Sequence, residues 1–228
     1  MLSLDLCRRK DAPFKLLCLG AHSDDIEIGC GGTVLALLDK YPRVDVRWVV
    51  FSGHGVRGQE ARDSAELFLA RAESKYVEVH TFRDTYFPSQ WEAIKQLFDD
   101  LKSFAPDLVL THYRNDLHQD HRVISDLTWN AFRNQLVLEY EIPKWDGDLG
   151  QPNFFVPLGL DVCELKVSNL QSAFKSQSEK HWFDHETFFS LLRLRGIEAN
   201  APGRYAEAFY ARKLSLDSMA VCPTEQHS

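Results

Sequence analysis

Residues 14–32 read FKLLCLGAHSDDIEIGCGG, and this stretch predicts the first structural elements of the fold. Phe14 to Leu19 form a short apolar run that ends at Gly20, a pattern typical of a buried strand. Apolar residues then recur at helical spacing as far as Tyr41. The stretch therefore predicts a strand, a polar turn and a helix, which is the repeating unit of a parallel α/β sheet.

The same alternation continues along the first two-thirds of the chain. Further strands are predicted at 44–51, 76–81, 108–110 and 136–140, with amphipathic helices between them. Such repeats, connected with right-handed crossovers, predict an α/β fold: a Rossmann-like parallel sheet with helices on both faces. Residues 143–157 are turn-rich, and two helices and a last strand at 205–214 are predicted after them. We expect one domain over 1–228, with a Rossmann-like core at 14–140 and a substrate-side extension at 141–228.

Composition excludes several classes of protein. The chain has 228 residues, with 26 Lys and Arg against 33 Asp and Glu, a net charge of −7. This balance argues against nucleic acid as the main partner, because such binding neutralises phosphates with a basic face. The five cysteines are scattered without a paired motif, as expected of reduced thiols. No apolar run approaches a membrane span, and the N-terminus is charged where a signal peptide is apolar. We expect a cytoplasmic protein with no membrane partner.

Two polar clusters follow predicted strands. Ala21 to Asp25 come directly after the first strand, and Asp116 to His121 follow the fourth and open the next helix. In doubly wound sheets, ligands bind outside the carboxyl ends of the strands, where the strand order reverses. The first and fourth strands can be neighbours at that point, so we expect the two clusters to face each other.

The composition of the clusters suits a divalent metal. His22, Asp25 and His121 supply two imidazoles and a carboxylate, a set common in catalytic zinc sites that leave a fourth position for water. Fe²⁺ or Mn²⁺ can occupy the same set. Water bound to such an ion has a pKa near 7 and becomes a nucleophile. Asp24 cannot easily ligate the same ion as its neighbour Asp25, because adjacent side chains leave opposite sides of the backbone, so Asp24 is free to take the proton of that water. The alternative is an Asx-rich turn that caps the helix.

His118 lies three residues before His121 and can reach the same pocket. As an imidazolium it would stabilise an oxyanion or protonate a leaving amine. Asp120 is a candidate to hold the tautomer of His118. The alternative for this group is a helix cap with solvated histidines. For His112 and Asp116, which border the cluster, we weigh substrate contact against a structural hydrogen bond.

The two clusters resemble the motifs of a known family. The segment AHSDDIEIGCGGT is similar to the AHPDDE-type motif of the PIG-L/LmbE-like zinc deacetylases, and HQDH at 118–121 is similar to their H-x-D-H motif. Further matches are Arg57-x-x-Glu60-Ala61, Lys166, Ser176-Gln177 and Tyr205 to Phe209, so the resemblance covers about 14–212. Ser23 replaces the usual Pro, and Ile26 stands where many members have Glu.

The resemblance implies a fold and an activity. These enzymes have a Rossmann-like fold, hydrolyse N-acetyl groups of N-acetylglucosamine-type sugars, and often assemble into oligomers. By resemblance the metal ligands are His22, Asp25 and His121, the general base is Asp24, and the transition-state histidine is His118. Arg57 takes a substrate-binding position, although a solvated charge at a helix start is the plain alternative.

We therefore expect a zinc-dependent deacetylase that hydrolyses the linear amide of a small N-acetyl sugar. A second hypothesis keeps the metal site but assigns it a cyclic imidate, a lactam or another amide. A third, of a different class, is a non-catalytic module that binds a nucleotide sugar.

Overall fold

The structure is a computed structural model that describes residues 4, 6 and 12–215. Its strands are β1 (Phe14–His22), β2 (Val44–Ser52), β3 (Ser74–Val79), β4 (Leu108–His112), β5 (Leu136–Tyr140), β6 (Phe154–Leu158) and β7 (Tyr205–Tyr210). Its α-helices are α1 (Asp25–Lys40), α2 (Gly55–Phe68), α3 (Trp91–Leu101), α4 (Gln119–Ala131), α5 (Leu160–Ala173) and α6 (His185–Glu198).

The strands form one sheet in the order β3-β2-β1-β4-β5-β7-β6. The first five are parallel, which confirms the predicted α/β core. The sheet as a whole is mixed, because β7 runs antiparallel to both β5 and β6. Strand β6 lies partly in the segment predicted as turns. Its Pro157 is tolerated because β6 is the last strand of the sheet, where one side of the backbone has no ladder partner.

Apolar side chains form a core on each face of the sheet. In β1, Leu16 and Cys18 pack on one face with α1 and α2, whereas Leu17 and Leu19 pack on the other with α3 and α4. This alternation follows from the two-residue period of a strand. In the extension, α5 packs against α1 and α2, and α6 packs against β7. The extension thus continues the layers of the core.

The cysteines of the described part are unpaired thiols. Cys18, Cys30 and Cys163 are buried and free, as predicted. Cys7 and Cys222 lie outside the described residues. Within the described part of the chain, no helix has the length and apolar character needed to cross a membrane.

The strand order places the two polar clusters together. Neighbours β1 and β4 lie where the chain order reverses, with β2 and β3 on one side and β5 on the other. The carboxyl end of β1 leads into Ser23 and Asp24 before α1, and that of β4 leads through a turn into α4. Parallel strands end at the same edge, so both loops lie over one part of the sheet.

Candidate metal centre and catalytic cleft

Three side chains bring potential metal-ligating atoms together at this edge. His22 Nδ1 lies 3.1 Å from His121 Nε2 and 3.3 Å from the Asp25 carboxylate. His121 Nε2 lies 3.5 Å from the same Asp25 oxygen. Ligands at about 2.0–2.1 Å from a tetrahedral ion stand roughly 3.3–3.4 Å apart. The three atoms therefore have the spacing that a shared ion requires.

The charges in this cluster suit a cation. Burial would raise the pKa of Asp25, but His121, His22 and His112 outweigh it and hold that pKa well below its usual range. Burial and the neighbouring His112 lower the pKa of His121 to about 3. Asp25 is thus ionised and His121 is neutral at physiological pH, which are the forms that ligate a metal.

Two carboxylates orient the ring of His22. Its Nε2 lies 3.0 Å from Asp84 and 3.4 Å from Asp120. Burial opposes a charge on His22, but Asp25, Asp120 and Asp84 together raise its pKa. The charged ring donates its Nε2–H to these carboxylates, and its Nδ1–H faces Asp25 and the Nε2 lone pair of His121. A metal ion would replace the Nδ1 proton, while the carboxylates continue to hold the Nε2–H. Asp84 was not predicted from the sequence, although its place shortly after β3, whose carboxyl end lies at the same edge, was an available signal.

His121 is oriented from its other side by Asp116. Its Nδ1–H donates to Asp116 over 2.9 Å, so the Nε2 lone pair faces His22 and Asp25. Lys144 donates to the same Asp116 oxygen over 2.8 Å. Asp116 is only 2% exposed, and the structure favours the structural hydrogen bond over the substrate contact considered for it. The sequence did not predict a role for Lys144.

His112 lies fully buried beneath the cluster. Its ring stacks on His121 at 3.9 Å, and its Nε2 accepts the main-chain N–H of Ala21 over 2.9 Å. Asp25, His112 and His121 together form another group with metal-ligating atoms within reach of one another. However, the N–H of Ala21 already occupies the Nε2 lone pair of His112. The geometry therefore favours a structural role for His112 and not the predicted substrate contact.

His118 caps the N-terminus of α4. Its Nδ1 accepts the main-chain N–H of Asp120 over 3.3 Å, so a neutral ring carries its proton on Nε2. Burial and the charge of His22 lower the pKa of His118, which favours this neutral form. The carboxylate of Asp120, expected to hold this tautomer, instead accepts the N–H groups of Thr85 and Phe87. The main chain of Asp120, and not its side chain, orients His118.

Asp24 is paired with Arg57. The Arg57 guanidinium donates to Asp24 over 2.8 Å and lies 3.5 Å from Glu60. Glu60 in turn accepts the N–H and the hydroxyl of Ser176 in the extension. The predicted general base and the predicted substrate-binding arginine therefore meet at the start of α2.

The cluster lies at the floor of an open cleft of about 390 Å³. His22, Asp24, Asp25, His118 and His121 all line it. The outer wall comes from the segment after β5 and from the extension, and its side chains include Lys144, Trp145, Lys180 and Trp182. Trp145 is 76% exposed, so an aromatic face is available to a ligand. Such faces pack well on the apolar side of a sugar ring.

The family of the chain follows from comparison with known proteins. The sequence profile of the family described as PIG-L: GlcNAc-PI de-N-acetylase matches residues 17–132, about half of the chain. The matched residues include both polar clusters. The chain belongs to this family of deacetylases.

Individual relatives are more distant. Diacetylchitobiose deacetylase of Thermococcus kodakarensis is 26% identical over 212 residues, covering 79% of this chain and 76% of that protein. The structure of N,N'-diacetylchitobiose deacetylase from Pyrococcus horikoshii superimposes with a TM-score of 0.67 at 24% identity, over 88% of this chain and 84% of that one. GalB of Pseudomonas putida KT2440, a 4-carboxy-2-hydroxymuconate hydratase, superimposes with a TM-score of 0.72 at 17% identity, over 91% and 100%. At these identities the structural likeness defines the fold and not the reaction.

Proposed function

We propose that this protein is a metal-dependent hydrolase that removes an N-acetyl group from an amino sugar or a sugar-like metabolite. The observation that carries the proposal is the spacing of His22 Nδ1, Asp25 Oδ2 and His121 Nε2, all within 3.5 Å of one another. Family membership and the open cleft above these atoms add support.

The three side chains fit a divalent ion. Two imidazole nitrogens and a carboxylate form the donor set of catalytic zinc sites, and Fe²⁺ or Mn²⁺ accepts the same set. When bound, such an ion polarises a carbonyl oxygen and provides water of lowered pKa. Zinc is the ion we propose, because this ligand set with an open fourth position is typical of zinc hydrolases.

The chain's own residues complete the hydrolysis. Asp24 accepts a proton from the attacking water, and its bond to Arg57 fixes the direction of its carboxylate. His118 presents its Nε2–H to the negative charge that develops on the carbonyl oxygen. As the amide C–N bond breaks, the proton held by Asp24 passes to the departing amine. The products are acetate and a free amino sugar.

The proposed substrate class rests on the relatives and the cleft. Two of the named relatives, from Thermococcus kodakarensis and Pyrococcus horikoshii, are deacetylases of diacetylchitobiose, a substrate with N-acetylated sugar rings. The cleft of this chain is large for one acetamide group and carries Trp145 and Trp182 on its outer wall. We propose that a sugar ring occupies the space between the metal ligands and these tryptophans.

Acetate release from a panel of N-acetyl sugars tests the proposal. Asp24→Ala should keep the bound metal and lose about 10²–10⁴ in turnover, which is the usual contribution of a general base. His121→Ala should lose both metal and activity. Asp99→Ala, at an exposed position on α3, is the control and should change neither. Full activity in Asp24→Ala would overturn the assignment.

The same panel separates the other candidates. Turnover of a lactam or cyclic imidate without acetate release would favour a different amide on the same site. GalB shares the fold, so a hydratase substrate belongs in the panel as well. Purified protein that binds a nucleotide sugar but holds no metal would favour a binding module.

A further inference from the structure

A buried ion pair joins the extension to α1. Lys166 on α5 donates to Glu207 on β7 over 2.6 Å, and the two residues are only 3% and 4% exposed. Charged pairs are rarely buried this completely, because removing two charges from water costs several kcal/mol. Their remaining hydrogen bonds go to the main chain of α1.

The pair contacts two main-chain groups of α1 that bond each other in a regular α-helix. Glu207 accepts the N–H of Gly32 over 2.8 Å and that of Thr33 over 2.6 Å, and Lys166 donates to the carbonyl of Ile28 over 2.7 Å. In a regular α-helix the N–H of residue 32 bonds the carbonyl of residue 28. The ion pair therefore supplies partners to both ends of one helical hydrogen bond.

Gly32 makes this approach possible. A Cβ at position 32 would lie 3.0 Å from the Glu207 carboxylate and 2.6 Å from Leu158. A side chain there would force the carboxylate away from the helix. The absence of a Cβ thus lets Glu207 reach the main chain.

The contacted turn carries the proposed chemistry. Ile28 donates its N–H to the carbonyl of Asp24 over 3.0 Å, and its own carbonyl is the group that Lys166 holds. Asp25 lies in the same first turn of α1. A continuous set of hydrogen bonds therefore runs from Glu207 through Lys166 and Ile28 to the start of α1. That turn contains the proposed base Asp24 and the proposed metal ligand Asp25.

We propose that Lys166 and Glu207 are positioning residues that set the place of Asp24 and Asp25 relative to His22 and His121. The expected effect of the two residues on metal binding is argued only from the hydrogen-bond geometry described above. Their expected effect on turnover rests on the proposed function. Neither residue lines the cleft beside the metal ligands, so each acts through the main chain of α1.

A second buried pair in the extension provides a matched control. Arg195 donates to both oxygens of Glu141 over 2.7 Å, and both residues are buried. Glu141 and Arg195 line a small cavity together with Ile28, Lys166 and Glu207, but the other hydrogen bonds of Arg195 go to Glu198 and the carbonyl of Gly150, and not to the main chain of α1. Loss of either ion pair should destabilise the fold, whereas only loss of the Lys166–Glu207 pair should change the positions of the metal ligands.

The test compares Glu207→Gln with Glu141→Gln. Glutamine has one acceptor oxygen, so it cannot serve Gly32, Thr33 and Lys166 together. Zn²⁺ affinity, measured by competition with a chromophoric chelator, should fall about 10-fold or more in Glu207→Gln, as for residues that orient metal ligands. kcat should fall while KM stays near the wild-type value. Glu141→Gln should lower the thermal unfolding temperature and keep the Zn²⁺ affinity.

Equal Zn²⁺ affinity in Glu207→Gln and the wild type would overturn the inference, as would an equal loss in Glu141→Gln. If Glu207→Gln does not fold, Lys166→Met replaces it, because that change keeps both N–H bonds of Glu207 while it releases the Ile28 carbonyl and the Glu207 oxygen that Lys166 contacts. The same loss of affinity is expected there, and wild-type affinity would overturn the inference. Reduced Zn²⁺ affinity in a protein whose wild type releases no acetate would retain this inference and reject the proposed function.

Discussion

Replacing Asp116 with asparagine tests how His121 is prepared to bind a metal. One Asp116 oxygen accepts from His121 Nδ1 and from Lys144, and the other accepts the N–H of His118 over 2.8 Å. An amide offers one acceptor oxygen and one NH₂ group. If the NH₂ faces His121, the ring must carry its proton on Nε2, the atom that faces His22. If it faces the N–H of His118, two donors meet at the start of α4.

Either arrangement should weaken metal binding. Loss of a residue that orients a metal-ligating histidine typically costs 10–100-fold in affinity, or about 1.4–2.7 kcal/mol. Competition with a chelator measures the affinity, and thermal unfolding of the metal-free protein checks the fold. Asp148→Asn is the matched control, because Asp148 also binds Lys144 but accepts the N–H of Leu117 in place of a histidine. An unchanged affinity in Asp116→Asn, or an equal loss in Asp148→Asn, would refute the reasoning.

Two further substitutions test packing and charge. In Gly29→Ala the new Cβ would lie 2.2 Å from the buried Tyr140 ring, so we expect a loss of about 3 kcal/mol and a melting temperature lower by about 6–12 °C; an unchanged melting temperature would contradict this. His80, whose Nε2 lies 3.5 Å from the Glu78 carboxylate, and Arg47, which donates to it over 2.6 Å, lower the pKa of Glu78 from 4.5 to about 2. The contribution of the Glu78 charge to stability is therefore present above pH 4.5 and is lost as the pH falls towards 2. Chemical denaturation should therefore show Glu78→Gln less stable than the wild type at neutral pH, with the difference shrinking in acid; a constant difference would show that the charge is not its source.

The sequence predicts the parallel part of the fold well, because each strand and helix there has its own periodicity. The apolar run at 14–19 and the stripe over 91–104 correspond to β1 and to α3 with the short helical turn after it. Strand β6 was not predicted, because its FFVPL segment contains a proline and follows a turn-rich stretch. Its pairing depends on β7, about fifty residues later, and no local pattern carries that information.

The candidate site was predictable in composition but not in its internal hydrogen bonds. His22, Asp25 and His121 come together because two strands end at one edge, which the strand order implies. The contact between Asp116 and His121 depends on the exact path of the turn between β4 and α4. Lys144 reaches Asp116 only because the chain folds back after β5, so its contribution had no signal in the local sequence.

X-ray absorption spectroscopy of the Zn²⁺-loaded protein tests the proposed metal centre most directly. We expect one ion for each chain, held by two imidazole nitrogens and carboxylate oxygen at about 2.0–2.2 Å, and no bound ion in His121→Ala prepared in the same way. Sulfur in the coordination shell of the wild type, or full metal content in His121→Ala, would contradict the proposed site.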